Sequence, residues 1–175
     1  MNYSHKKIIL IKLTNCLLLA AVFLIPFSIY SIMQPPDISE AQKVFQECYD
    51  DIQIVVDFLV SSEHGEIIID ADSRTSFKDV DGYHSESVEL VLDTKTEEAV
   101  KRLLNGEYEK IIKWENTIQI IQWHRFTGIG CGVAYTINGQ DSPEIQFVTE
   151  LIPMKEDGWY YYVVDYNKWR LENNQ

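Results

Sequence analysis

The densest run of metal-ligand side chains is Asp70-Ala71-Asp72-Ser73-Arg74, followed by Asp79 and Asp81-Gly82. Alternating carboxylates closed by glycine are how a loop wraps calcium. Acidic or amide residues then stand at positions 1, 3 and 5, with Gly at 6 and Glu at 12. Counted from Asp70, position 5 is Arg74, position 6 is Thr75 and position 12 is Asp81. The pattern fails there, so a solvated loop is expected and no metal is assigned. His64, His84 and His124 lie far apart and form no H-x-x-x-H pair, so a zinc site would have to be assembled by folding. Cys131 and His124 have the residue types of a nucleophile and its base. The surrounding FTGIGCGVAY is no nucleophile turn. Glu144, Glu150 and Asp165 offer carboxylates that could divide acid and base roles if their surroundings separated their pKa values. Among 27 acidic residues a chance pair is expected. No catalytic residue and no cofactor follows from these spacings.

A second constellation is aromatic. Gly128, Gly130 and Gly132 alternate ahead of a strand, leaving a strip without side chains. Such a strip accepts a ring, forms a bulge or admits a ligand backbone. Trp114, Trp123, Trp159, Tyr160, Tyr161, Tyr162, Tyr166 and Trp169 supply rings. Rings over glycine are mainly a packing device; the functional alternative is a groove for a sugar or peptide. Period-2 alternation in Trp159-Tyr160-Tyr161-Tyr162 sends some rings to the outer face. Trp159, Tyr160, Tyr162 and Trp169 are therefore the expected contact residues.

The elements that carry these residues follow an apolar leader. Residues 8–33, IILIKLTNCLLLAAVFLIPFSIYSIM, are almost wholly apolar. A membrane-spanning helix needs about 20 such residues; Lys12 can snorkel, and Pro26 is tolerated in lipid. His5, Lys6, Lys7 and Lys12 lie at its start, and Asp37 and Glu40 follow. The positive-inside rule puts the N-terminus in the cytoplasm and the rest outside. A retained anchor is favoured over a cleaved signal peptide, because the small residues Ser28 and Ser31 are flanked by Ile29, Tyr30 and Ile32. Cys16 lies at the start of the apolar core, which excludes a lipoprotein signal. The expected organisation is a basic cytoplasmic stub (1–7), a transmembrane signal anchor (8–33), a stiff linker (34–36) and an extracytoplasmic domain (37–175).

That domain is acidic. The whole chain has 15 Lys/Arg and 27 Asp/Glu; three lysines and no acid fall before residue 37. The domain thus holds 12 basic against 27 acidic residues, a formal −15. Such a surface repels nucleic acid and anionic headgroups, and keeps the domain soluble. Cys48 and Cys131 could form a bridge in an oxidising compartment. Cys48 falls on the apolar face of a helix, which favours a buried free thiol.

Asp37 can cap a helix with Glu40 as its partner. Ala41, Val44, Phe45, Cys48, Ile52, Val55 and Leu59 recur at helical spacing, predicting one long helix over roughly 38–60. Residues 66–70 and 87–93 read as strands with a polar hairpin loop, 71–86, between them. A short helix follows from Thr94, with Ala99, Val100, Leu103 and Leu104 buried, and left-handed Gly106 as its stop. Five further strands are expected over 108–113, 117–123, 132–137, 144–152 and 159–165. Asn138-Gly139 is a hairpin signal; Glu115-Asn116 and residues 155–158 mark turns. The fold class is α+β, with a long and a short helix packed on a curved antiparallel meander.

NTIQIIQWHR, GVAYTING and DGWYYYVVDYNKWR, within residues 116–170, resemble a group of small, uncharacterised, membrane-anchored proteins of Firmicutes such as clostridia. The resemblance implies an exported domain and supplies no catalytic residue. The helix-then-curved-sheet order is loosely similar to the cone-shaped folds of the nuclear-transport-factor type, which often enclose a pocket; fold alone does not give function. The function expected is a tethered, non-catalytic interaction module that binds an envelope protein or a cell-wall ligand. A small envelope hydrolase or transferase using carboxylates, and an accessory or immunity-type membrane protein that masks a partner through a flat apolar patch, are the alternatives.

Overall fold

The computed structural model describes residues 35–79, 85–124, 128–139 and 142–168. The expected anchor, Trp169 and His84 lie outside them. Among the described residues no helix is long and apolar enough to cross a membrane.

Among the described residues eight strands form one sheet: β1 (Glu66–Asp70), β2 (Arg74–Asp79), β3 (Ser85–Glu89), β4 (Lys110–Trp114), β5 (Thr117–His124), β6 (Ile129–Thr136), β7 (Val148–Pro153) and β8 (Trp159–Asp165). Their order is β3-β2-β1-β4-β5-β6-β8-β7, and every neighbouring pair is antiparallel. Helices α1 (Ile38–Glu47), α2 (Tyr49–Ser61) and α3 (Thr94–Asn105) accompany them. The α+β class with an antiparallel sheet is therefore correct, and several of its details differ.

The long helix is broken. Asp37 caps α1, accepting the Glu40 N–H at 2.9 Å and the Ser39 hydroxyl at 2.6 Å. At Cys48 the backbone turns to φ −104°, ψ 6°, although Cys48 N–H still reaches Val44 O and Ile52 N–H reaches Cys48 O, both at 3.0 Å. The bend lets α1 lie against β6 and β8 while α2 packs along α3. Apolar spacing runs through such a bend unchanged, which is why it predicts one helix. Lys113 closes the far end of α2. Its Nζ donates to Leu59 O at 2.8 Å and Ser62 O at 2.9 Å, a cation where the helix dipole is negative. Burial lowers its pKa.

The polar stretch expected as a loop over 71–86 contains a strand, β2, joined to β1 by a tight turn. Asp70 Oδ1 accepts the N–H groups of Asp72 (3.0 Å) and Ser73 (2.8 Å) and the Ser73 hydroxyl (3.0 Å). The sheet is not a simple meander, because β8 lies between β6 and β7. Asn138 and Gly139 do take the left-handed conformations that Asn-Gly favours, φ 68° and 64°. They start a crossover instead of a hairpin. Gly106, expected as a left-handed stop, has φ −106° and ψ −111°; Asp93 caps the start of α3 through the Thr96 N–H.

The helices cover one sheet face. Ile67, Ile69, Ile111, Ile118, Ile120 and Val133 meet Phe45, Ile52, Val55, Leu59, Ala99 and Leu103 there in one buried cluster. Gly132 lets two strands approach closely. A Cβ at this position would collide with the Ile120 carbonyl and meet Ile121 Cα at 3.0 Å, beside a bulge in β5. Of the alternatives open to the glycine strip, the bulge is the one found, in the partner strand β5, and the close approach at Gly132 is to that strand's backbone. Cys48 and Cys131 are both free.

Candidate functional site

The second sheet face holds the candidate site. Register places Ile68, Ile112, Gln119, Ala134 and Tyr160 in one row across β1, β4, β5, β6 and β8. Over part of this face lies the chain that leads from β6 to β7. Ile145 and Leu151 pack there on Ala134, Tyr162 and Val164. Glu144 N–H donates to Thr117 Oγ1 at 3.0 Å, tying the crossover to β5. Phe147 then turns through a left-handed conformation, φ 60°, which costs a bulky residue about 1 kcal/mol. Its ring meets Tyr166 edge-on with centroids 5.5 Å apart.

This arrangement leaves a groove of about 550 Å³ lined by Ile112, Trp114, Gln119, Glu144, Ile145, Gln146 and Tyr166. Trp114 is 45% exposed and Tyr166 38%. Burial raises the Tyr166 pKa. Two aromatic walls, two primary amides and one carboxylate suit a ligand with flat apolar faces and hydrogen-bonding edges.

Of the aromatic residues expected to make contacts, Trp159 and Tyr162 fall elsewhere. Trp159 is 3% exposed, with its ring 4.7 Å from Phe45 and 5.1 Å from Tyr135, centroid to centroid. Tyr162 is 1% exposed, on the opposite face, under the crossover. The exposure expected of these two is corrected: β8 is covered on both faces, so alternation sends no ring fully to solvent. Tyr160 is half-buried, and Trp169 lies outside the described residues. Trp114 and Tyr166, two of the rings in the aromatic supply, line the groove instead. They stand at the ends of different strands, so no local spacing links them.

The other chemical candidates separate. Of the three carboxylates, Glu144 lines the groove. Glu150 is exposed on β7, and Asp165 accepts the Asn167 N–H at 2.9 Å. Cys131 is fully buried, and burial pushes its thiol up to about 12, the opposite of an activated nucleophile. Burial also raises the Tyr161 hydroxyl, which donates to Pro36 O at 2.6 Å and so ties the end of the linker to β8. Burial works against the Asp70 carboxylate, but hydrogen bonds from Asp72 and Ser73 and the Lys110 charge hold it below its ordinary range. Among the described residues no group of three His, Cys, Asp or Glu side chains could hold a metal.

No family model, curated protein or solved structure matches this chain.

Proposed function

We propose that this protein is a membrane-tethered extracytoplasmic binding module, and that its ligand lies between Trp114 and Tyr166. The observation that carries the reading is an aromatic-walled groove of about 550 Å³ on the sheet face turned away from the helices. Half-exposed Trp and Tyr rings offer large contact area at small entropic cost. Gln119 and Gln146 add hydrogen-bonding edges. Glu144, together with the domain's formal −15, favours neutral or cationic ligands over anionic ones. A cell-wall sugar or peptide has this chemistry. With residues 8–33 as the anchor and the basic N-terminus inside, the groove faces the envelope. Among the described residues Glu144 is the single carboxylate lining the groove, whereas acid–base chemistry needs a second group.

The test is chemical cross-linking of the full-length protein in its native membrane, followed by mass spectrometry. Trp114→Ala and Tyr166→Ala should each reduce specific capture by about tenfold, the equivalent of losing roughly 1.4 kcal/mol of contact. Undiminished capture by both folded variants would remove the groove from the function.

A further inference from the structure

The two sheet edges are built differently. Edge strand β7 carries Pro153 and a register shift between Val148 and Glu150, devices that stop an edge from pairing. Edge strand β3 pairs with β2 in unbroken register over Ser85–Glu89 and contains no proline. Leu90 N–H donates to Arg74 O at 3.0 Å. By the alternation of an antiparallel ladder, Val88 also turns its backbone groups toward β2. Ser87 and Glu89 turn theirs outward, where among the described residues no further strand pairs.

A groove of about 530 Å³ runs beside this edge, between the end of α2 and residues 88–91. Phe58, Leu90 and Val88 give it an apolar floor, and Glu63 and Glu89 line it. Val88 is 44% exposed and Val91 84%. The segment 85–93 contains Glu86, Glu89 and Asp93 and no Lys or Arg. Arg74 on the neighbouring strand is held by Glu97 at 3.3 Å.

We infer that β3 accepts an extended, basic peptide segment of a partner protein as a ninth strand. Ser87 and Glu89 supply the backbone hydrogen bonds. The groove takes an apolar side chain from alternate positions, and Glu63 and Glu89 face the partner's lysines or arginines. A second copy of this chain is disfavoured as occupant, because antiparallel self-pairing brings the glutamates of two β3 strands together, and like charges across strands repel. This surface is distinct from the groove at Trp114, so either can fail without the other.

The probe is a labelled hexapeptide of alternating Lys and Val, with its Glu–Val counterpart as control. It is titrated against the full-length chain in phosphatidylcholine nanodiscs. The Lys–Val peptide should bind at least about tenfold more tightly than the control, weaken with added salt, and slow amide exchange at Ser87 and Glu89. Ser87→Pro removes only an outward N–H, a position where an edge strand tolerates proline. It should lower affinity about tenfold while the domain still melts cooperatively. If that variant fails to fold, Glu63→Lys with Glu89→Lys decides: the preference should reverse to the Glu–Val peptide. Equal binding of both peptides overturns the inference, as does protection confined to other strands. So does self-association that protects Ser87 and Glu89 without peptide, which would make the second copy the occupant.

Discussion

Replacing Trp159 and Trp114 by alanine separates core from surface among the aromatic residues. A buried tryptophan removes about 150–250 Å² from water. At about 25 cal/mol per Å² this is worth roughly 4–6 kcal/mol. Trp159 is 3% exposed and packs on Phe45 and Tyr135 at 4.7 and 5.1 Å. Alanine retains the β carbon, and the cavity closes only in part, so Trp159→Ala should cost about 3–5 kcal/mol. Against a typical domain stability of about 5–15 kcal/mol, that is a large share. The melting temperature should fall by about 10 °C or more. Trp114 is 45% exposed, and its replacement should stay within about 1 kcal/mol. Urea titrations followed by circular dichroism, with slope and midpoint compared, measure both. A Trp159→Ala midpoint equal to that of the parent would put the ring outside the core and contradict its packing on Phe45 and Tyr135.

Gly132→Ala should cost at least about 3 kcal/mol, since the new methyl meets backbone of β5; an unchanged urea midpoint would contradict the register of β5 and β6. Burial pushes the Cys131 thiol from its ordinary value of 9.0 up to about 12. The folded value is raised, so the thiol's contribution is whole below pH 9.0 and is lost as pH rises through about 12. Across that window it amounts to roughly 4 kcal/mol. Relative to Cys131→Ala, the parent should therefore lose stability as pH rises above 9.0, and parallel titration curves would show the thiol to be exposed.

Several features are legible in the sequence because one residue type decides each of them. Asp37 caps α1, Glu115-Asn116 turns β4 into β5 with Glu115 at φ 48°, and Gly158 at φ 80° closes the turn before β8. The apolar face of residues 41–59 is legible because helical spacing reports burial directly. The bend at Cys48 is not, since it preserves that spacing. Strand β2, RTSFKD, reads as loop because it lies next to the sheet edge, where little burial is required and apolar alternation is weak. Asn138-Gly139 reports a backbone conformation correctly, but a turn conformation does not name the strand that will be the neighbour. The order β6-β8-β7 is set by long-range pairing.

The site is less legible for a related reason. Trp159-Tyr160-Tyr161-Tyr162-Val163-Val164 has no charged or amide residue on either alternate set. An unbroken apolar and aromatic run of that length is the signature of a strand covered on both faces, and that signal could have placed Trp159 and Tyr162 inside. The covering segment, with Ile145 and Leu151, is distant in sequence from Ala134. Trp114 and Tyr166 are brought together with Glu144 only by the whole sheet and its crossover.

The most direct test of the binding groove is site-specific photo-cross-linking in the intact membrane. A photoreactive residue is placed at Gln146, inside the groove, or at Glu98, exposed on α3. The reading predicts one reproducible adduct from position 146 that disappears with Trp114→Ala, and none of the same mass from position 98. Equal labelling from both positions, or an adduct indifferent to Trp114→Ala, would contradict it.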